Sequence, residues 1–266
     1  MICGFRLLTF DFCALPFDLF FHMSTKPTMT LDRVLSRFGI ASRTKSREAV
    51  LAGRMKVNGR IVRDPDVWVT PGRDSFQLDG KLLKPARKRY LLFYKPKGVI
   101  TSHGDPAGRD TIYKYLDDDV KWVSPVGRLD KDSSGLLLLT NDTDFADFIM
   151  SPESGIAKTY LVKTNALLSD EVIAQLNAGV EMKRGDLAQP LSVRRREDRG
   201  KYTWLDVVLT EGKNREVRRM IEAVGYVVLK LVRTRIGPLT LEGLQVGKWR
   251  DLTPSEIASL REGGRR

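Results

Sequence analysis

The residues best suited to chemistry lie in one string, GRLDKDSSGLLLLTND, at positions 127–142. Gly127 and Gly135 bracket a polar loop, and the leucines at 136–139 read as a buried strand, so Asp130 sits on a loop held against a core. A carboxylate positioned in that way can serve as a nucleophile or as a base. The spacing of Asp130, Asp132, Ser134 and Gly135 also fits the first half of a calcium-binding loop. That alternative fails at its twelfth position, Asn141, which cannot supply a bidentate carboxylate, and in running into a strand instead of a helix. The chain holds only Cys3, Cys13, His22 and His103, with no zinc-ligand spacing, so no metal site is expected. No strand–GxGxG–helix segment offers a cofactor loop, and no cofactor is expected.

A second candidate group is the arginine-rich stretch EGKNREVRRMIEAVG at 211–225. As a helix over 214–224 it places Val217, Met220, Ile221 and Val224 on one core-facing stripe. At about 100° per residue, Arg218 lies roughly 110° from the centre of that stripe, and Arg215 and Arg219 lie farther round. Arg218 is therefore the arginine expected to reach inward, with the other two facing phosphate or solvent. Two further residues are ambiguous on their own. Tyr160 lies on a strand over 158–164, where a core tyrosine with a satisfied hydroxyl is the common case. Arg128, next to Asp130 but one, reads equally well as an ordinary salt-bridged loop arginine.

Positioning these residues falls to a larger part over 89–260. Strands are expected at 90–94, 135–140, 158–164, 191–195, 202–209 and 227–234, and helices at 143–150, 170–177, 214–224 and 254–261. Strands outnumber helices and do not alternate with them, which predicts an α+β fold with largely antiparallel pairing. Ahead of it, residues 30–88 form a small basic module: helices over 32–38 and 45–52, the second closed by Gly53, then hairpins turning at Asn58-Gly59 and Asp79-Gly80. Residues 84–89, KPARKR, read as a charged linker. Residues 1–29 form an apolar, aromatic extension interrupted by Asp11 and Asp18, without the marks of a signal peptide or a membrane span. We expect it to be unfolded or the product of an early start, with Met23 or Met29 as the true first residue. Residues 261–266 are a short tail.

The charge has a place as well as a sign. The chain carries 45 Lys and Arg against 33 Asp and Glu, a net of +12, and the segment 31–89 alone holds 15 against 6, a net of +9. Such a concentration favours a polyanionic partner, because each neutralised phosphate releases a counterion. Arg33, Arg37, Arg43, Lys45, Arg47, Arg54, Lys56 and Arg60 carry it on the two helices and the first hairpin.

These residues also carry a resemblance. LDRVLSRFGIASRTKSREAVLAGRMKVNGRIV resembles the S4 RNA-binding domain: a short LDxxL helix, a GxxSR turn, a basic second helix and a GxxxVNG hairpin. GRLDKDSSGLLLLTND is similar to the catalytic motif of pseudouridine synthases of the RsuA/RluB branch. KTYLV (158–162), EGKNREVRRMIEAVG and LVRTRIGPL (231–239) follow in that branch's order. Ser133 and Ser134 are the departure, since many relatives have Thr at the second site.

The resemblance implies an S4 domain of αL type followed by a catalytic domain on a mixed, mostly antiparallel sheet with flanking helices. It further implies isomerisation of one uridine of ribosomal RNA to pseudouridine, with 23S favoured over 16S. Asp130 would be the nucleophile, Tyr160 the residue facing the base, and Arg218 the guanidinium paired with Asp130. Arg128 would fill the space left by the flipped base, and Arg215 and Arg219 would face the substrate. The reaction gains and loses no atoms, so it needs neither cofactor nor metal. A monomer in the cytoplasm, acting on ribosomal RNA or on ribosome assembly intermediates, fits this reading. A non-catalytic S4-type binder has no use for Asp130, Tyr160 and Arg218 together, and a methyltransferase would need the missing cofactor loop.

Overall fold

The computed structural model describes residues 28–84, 86–183 and 185–263. Nearly all of the apolar extension, residues 1–27, lies outside them, and so does the end of the tail, 264–266. The small module takes its shape from two tight turns. Asn58 and Gly59 have φ of 50° and 81°, and Asp79 and Gly80 have 51° and 78°. Positive φ at both central residues is what a two-residue hairpin turn demands. The first turn joins β2 (Met55–Val57) to β3 (Arg60–Ile61), and the second joins β5 (Phe76–Leu78) to β6 (Lys81–Leu82), giving a sheet in the order β3-β2-β5-β6. A separate ladder pairs β1 (Met29–Thr30) with β4 (Trp68–Val69), so the module begins at Met29, one residue inside the stretch read as extension. Helices α1 (Leu31–Arg37) and α2 (Arg43–Leu51) close over the sheet, and Ser42 caps α2 by accepting from the Lys45 amide. Leu31, Val34, Leu35, Val50, Met55 and Phe76 form the module's own core.

The larger part is built on one nine-stranded sheet. Its strands are β7 (Tyr90–Lys95), β8 (Ser124–Val126), β9 (Ser134–Thr140), β10 (Lys158–Thr164), β13 (Ser192–Arg199), β14 (Tyr202–Leu209), β15 (Val228–Ile236), β16 (Leu239–Thr240) and β17 (Trp249–Asp251). A two-stranded ladder, β11 (Val180–Glu181) with β12 (Leu187–Ala188), stands apart. The order is β13-β14-β10-β15-β9-β7-β17, with β16 on β15 and β8 on β9. Every pairing is antiparallel except β9 with β15, where Ser134 faces Val232 and Gly135 faces Arg233. This agrees with the mixed, mostly antiparallel α+β expectation. The edge strand β8 contains Pro125, which blurs its pattern in sequence and is tolerated because β8 pairs on one side only.

The four leucines of β9 reveal how the sheet is covered. Leu137 and Leu139 enter one core with residues of α4 (Asp170–Ala178) and α5 (Glu216–Ala223). Leu136 and Leu138 enter the other, with Phe145 and Ile149 of α3 (Thr143–Met150) and Leu260 of α6 (Pro254–Gly263). A strand buried on both faces reads as a continuous apolar run instead of an alternation. The loop carrying Asp130 leads straight into this strand.

The two parts touch through named polar contacts. Arg37 of α1 pairs with Asp144 of α3 at 2.7 Å, and Lys88 pairs with the buried Asp142 at 2.7 Å. Asp142 also caps α3 and accepts from the Tyr90 hydroxyl at 2.7 Å. Burial alone would raise the Asp142 pKa, but the bonds from Lys88 and Tyr90 hold it below the usual carboxylate range. Lys88, near the end of the charged stretch, is therefore docked against the larger part.

Candidate active site

The loop ahead of β9 is gripped from several sides. The Ser133 amide donates back to the Asp130 carbonyl at 3.0 Å, closing a turn. The Thr101 hydroxyl donates to the Leu129 carbonyl at 2.8 Å, and the Gly98 amide donates to the Lys131 carbonyl at 2.7 Å. Beneath the turn lies Lys95, the last residue of β7, which is fully buried. Its ammonium donates to the carbonyls of Pro96, Asp130 and Ser133 at 3.0, 3.1 and 2.8 Å. All three donors of the group are thereby used. Burial pushes the Lys95 pKa down to about 8, against the opposing pull of Asp130 and Asp132.

From the other side Arg218 donates to the Asp132 carbonyl at 3.1 Å and to the Val228 carbonyl at 3.0 Å. It ties the loop to the start of β15. Burial first, then the neighbouring Arg215, push its pKa below the ordinary arginine value. The seam between β9 and β15 is closed by Gly135, whose φ is 116°. A Cβ there would stand 2.2 Å from the Arg233 carbonyl oxygen, so no other residue fits without moving the backbone.

A cavity of about 430 Å³ opens over this loop, lined among others by Arg128, Asp130, Lys158, Tyr160, Arg215, Glu216 and Arg233. The Asp130 side chain is 34% exposed into it, and its Oδ2 lies 3.6 Å from Arg215 Nη1. This corrects the expected pair with Arg218, which forms no ion pair with Asp130 among the described residues. The helical wheel misled because α5 begins at Glu216, and Arg215 caps it with a left-handed φ of 49°. Outside the helix, Arg215 is free to turn toward the loop. Arg218 is the buried arginine of the helix, as the wheel indicated, but it binds backbone and not the carboxylate.

Tyr160 is almost fully buried in β10, and its hydroxyl has no hydrogen-bond partner among the described residues. Arg128 stands exposed at the rim, without an ion pair among the described residues. Arg219, expected at phosphate, instead pairs with Asp186 and donates to the Lys183 carbonyl at 3.1 Å.

Sequence reasoning missed Lys95, Lys158, Glu216 and Arg233. For Lys95 and Arg233 the available signal was a charged residue within a largely apolar strand, as in YLLFYK and VLKLVRTRI. Glu216 is buried, with one oxygen accepting from the Lys213 amide at 2.9 Å and the other unpartnered. Burial, together with the nearby Glu211, raises its pKa to about 7.

In the small module, Arg43, Arg47 and Arg54 pair with Asp32, Asp66 and Asp79. Arg37 faces α3, as described above. Arg33, Lys45, Lys56 and Arg60 have no acidic partner among the described residues.

The sheet and the appended basic module agree with comparisons to known proteins. The family model described as RNA pseudouridylate synthase matches residues 89–223, and the S4 domain model matches residues 29–74. The chain belongs to the RNA pseudouridylate synthase family and is an enzyme of that class, with an N-terminal S4 domain. Within the family it is of the RluB type. It is 39% identical to the ribosomal large subunit pseudouridine synthase B of Bacillus subtilis (strain 168), over 87% of this chain and 95% of that protein. It is 36% identical to the protein of the same name from Escherichia coli (strain K12), over 87% and 82% of the two chains. A crystal structure of a pseudouridylate synthase superposes with a TM-score of 0.64 at 29% identity, covering 87% of this chain and 99% of that one. Among the described residues no helix is long and apolar enough to cross a membrane.

Proposed function

We propose that this enzyme isomerises a uridine of 23S ribosomal RNA, with the Asp130 carboxylate as its nucleophile. The large-subunit substrate is taken from the names of the relatives. The observation supporting the nucleophile is that Asp130 opens into the cavity from a turn whose carbonyls are held by two buried cations. Fixed backbone gives the carboxylate a fixed aim, and positioning is a large part of what such a reaction requires.

The chemistry balances within the substrate. The C1′–N1 bond breaks, the base turns, and C5 bonds to C1′; a proton leaves C5 and one is gained at N1. Asp130 either attacks C1′ or takes the C2′ proton, and in both routes N1 keeps the bonding electrons. Arg215, 3.6 Å away, places a positive charge beside the carboxylate. Tyr160 lies against the base and relays the C5 proton, its unpartnered hydroxyl accepting that proton as it passes its own to solvent. The uridine must leave its stack to enter, and Arg128 at the rim takes its place. The unpaired cations of the S4 domain take up RNA phosphates.

The test is to map pseudouridines in 23S ribosomal RNA incubated with the protein and with its Asp130→Asn variant. One new pseudouridine with the first and none with the second is the expected result. A modification confined to 16S RNA would overturn the substrate, and an active variant would overturn the nucleophile.

A further inference from the structure

At the floor of the cavity lies positive charge with which no acidic side chain pairs among the described residues. Arg233 is 5% exposed and lies directly opposite Tyr160 in the β10–β15 register. Cross-strand partners share a face of the sheet, and both side chains line the cavity. The Arg233 Nε donates to the Leu136 carbonyl at 2.7 Å, while neither terminal nitrogen has an acceptor among the described residues. Lys158, two residues before Tyr160 on the same strand face, donates only to the carbonyls of Thr210 and Ile156, at 3.1 and 3.4 Å. Burial, followed by the positive charge of Arg233, pushes the Lys158 pKa down; Glu216 opposes this but makes no ion pair. A buried guanidinium without a counter-charge is costly to keep, and a fold that keeps one has a use for it.

We propose that Arg233, assisted by Lys158, binds the carbonyl oxygens of the target uracil and stabilises the negative charge on the base once its bond to C1′ is broken. The inference rests on the reading of this cavity as the uridine site. Depth selects the base over a phosphate. Arg128, Lys213 and Arg215 are exposed at the rim, where the sugar–phosphate chain of a flipped nucleotide remains. Arg233 lies at the floor beside Tyr160, where only the base reaches.

The electron count identifies the moment at which the charge matters. Bound uracil is neutral. When C1′–N1 breaks, N1 retains the pair, which delocalises onto O2 and O4. It is consumed when C5 bonds to C1′, and loss of the C5 proton with gain of one at N1 restores neutrality. A cation on the floor therefore acts more strongly on the broken state than on the bound substrate, and that difference accelerates the step.

The test compares single-turnover cleavage of the C1′–N1 bond in RNA carrying uridine or 5-fluorouridine at the target. Fluorine makes the departing base a more stable anion by itself. Arg233→Gln is expected to slow cleavage about 100-fold with uridine, the usual effect of losing one such donor, and distinctly less with 5-fluorouridine. RNA affinity should hold, Arg233→Lys should recover part of the rate, and Lys158→Met should show the same base dependence at smaller size. Equal losses with both bases, or a loss confined to RNA affinity, would overturn the proposal. Thermal melting identifies a misfolded Arg233→Gln; Lys158→Met, at a less buried site, then decides by the same criterion. Asp130→Asn should silence both substrates. If it does not, the nucleophile reading fails while the base dependence at Arg233 can still be read.

Discussion

The S4 domain and the catalytic cavity are both rich in cations and hold them in opposite ways. In the S4 domain the cations are mostly exposed, and three of them pair with acids of the same domain: Arg43 with Asp32, Arg47 with Asp66, Arg54 with Asp79. The pairs of Arg47 and Arg54 lie in solvent, which screens them, so either arginine can exchange its aspartate for an RNA phosphate at small cost. In the cavity, Lys95, Arg218 and Arg233 are buried and bind backbone carbonyls. Carbonyls orient a cation without cancelling its charge. The first arrangement suits a surface that must take up and release a polyanion. The second suits a site that needs a fixed loop and an uncompensated field.

The sharpest division between the two regions should appear at Asp130. Asp130→Asn is expected to reduce single-turnover formation of pseudouridine by about 10⁴-fold or more, as loss of a nucleophile does, with RNA affinity nearly unchanged. Filter binding beside a rate assay separates the two. A residual rate within about tenfold of wild type would show that the cavity, like the S4 domain, only binds.

Lys95 comes next. Lys95→Met keeps the volume and removes three hydrogen bonds from the loop, and we expect a rate loss of about 100-fold, the size of a lost orienting donor. The wild-type rate should also fall as pH rises past about 8, where the buried ammonium gives up its proton and one of those bonds. Stability should move the other way. Between about 8 and the ordinary 10.5 the unfolded chain binds the proton that the folded chain has lost, so the contribution of this group to stability rises with pH in that window. A rate that stays flat to pH 10, or an alkaline limb that survives in Lys95→Met, would remove Lys95 from the loop's control.

A smaller effect separates the arginines of α5. Arg218→Ala should lower both the melting temperature and the rate, because it frees the Asp132 and Val228 carbonyls, and Arg218→Lys should recover only part. Arg215→Ala should lower the rate while leaving the melting temperature in place, since Arg215 is an exposed cap. If the two variants behave alike, the distinction between backbone clamp and carboxylate partner is wrong.

The sequence carried most of the fold and only part of this site. The Asn58-Gly59 turn and the leucines of β9 were legible because a turn type and a two-sided burial each leave a local pattern. The pairing of Arg215 was not, because it depends on α5 starting at Glu216, and helix ends are set by caps that a wheel ignores. Lys95 and Arg233 were hidden for a different reason. A charge in a strand reads as a solvent-facing position, and only the third dimension shows that each points under the seam where β9 meets β15. Edge strands such as β17 escaped because a three-residue ladder has no periodicity to detect.

The smallest predicted effect lies within the S4 domain and tests whether its paired and unpaired cations differ. Lys45→Gln or Arg60→Gln removes a side chain with no acidic partner, so each should reduce the slope of log affinity against log salt by about 1. Arg47 is held by Asp66 in two hydrogen bonds of 3.0 and 3.1 Å. Its transfer to a phosphate must break that pair and leaves Asp66 exposed near the RNA, so Arg47→Gln should change the slope by less. The saturated single-turnover rate should be unaffected in all three, since none reaches the cavity. Salt titrations of ribosomal RNA binding provide the measurement. A larger slope change for Arg47→Gln than for Lys45→Gln would mean that Asp66 releases its arginine at no cost, and that the pairs place the guanidinium for RNA instead of holding it back.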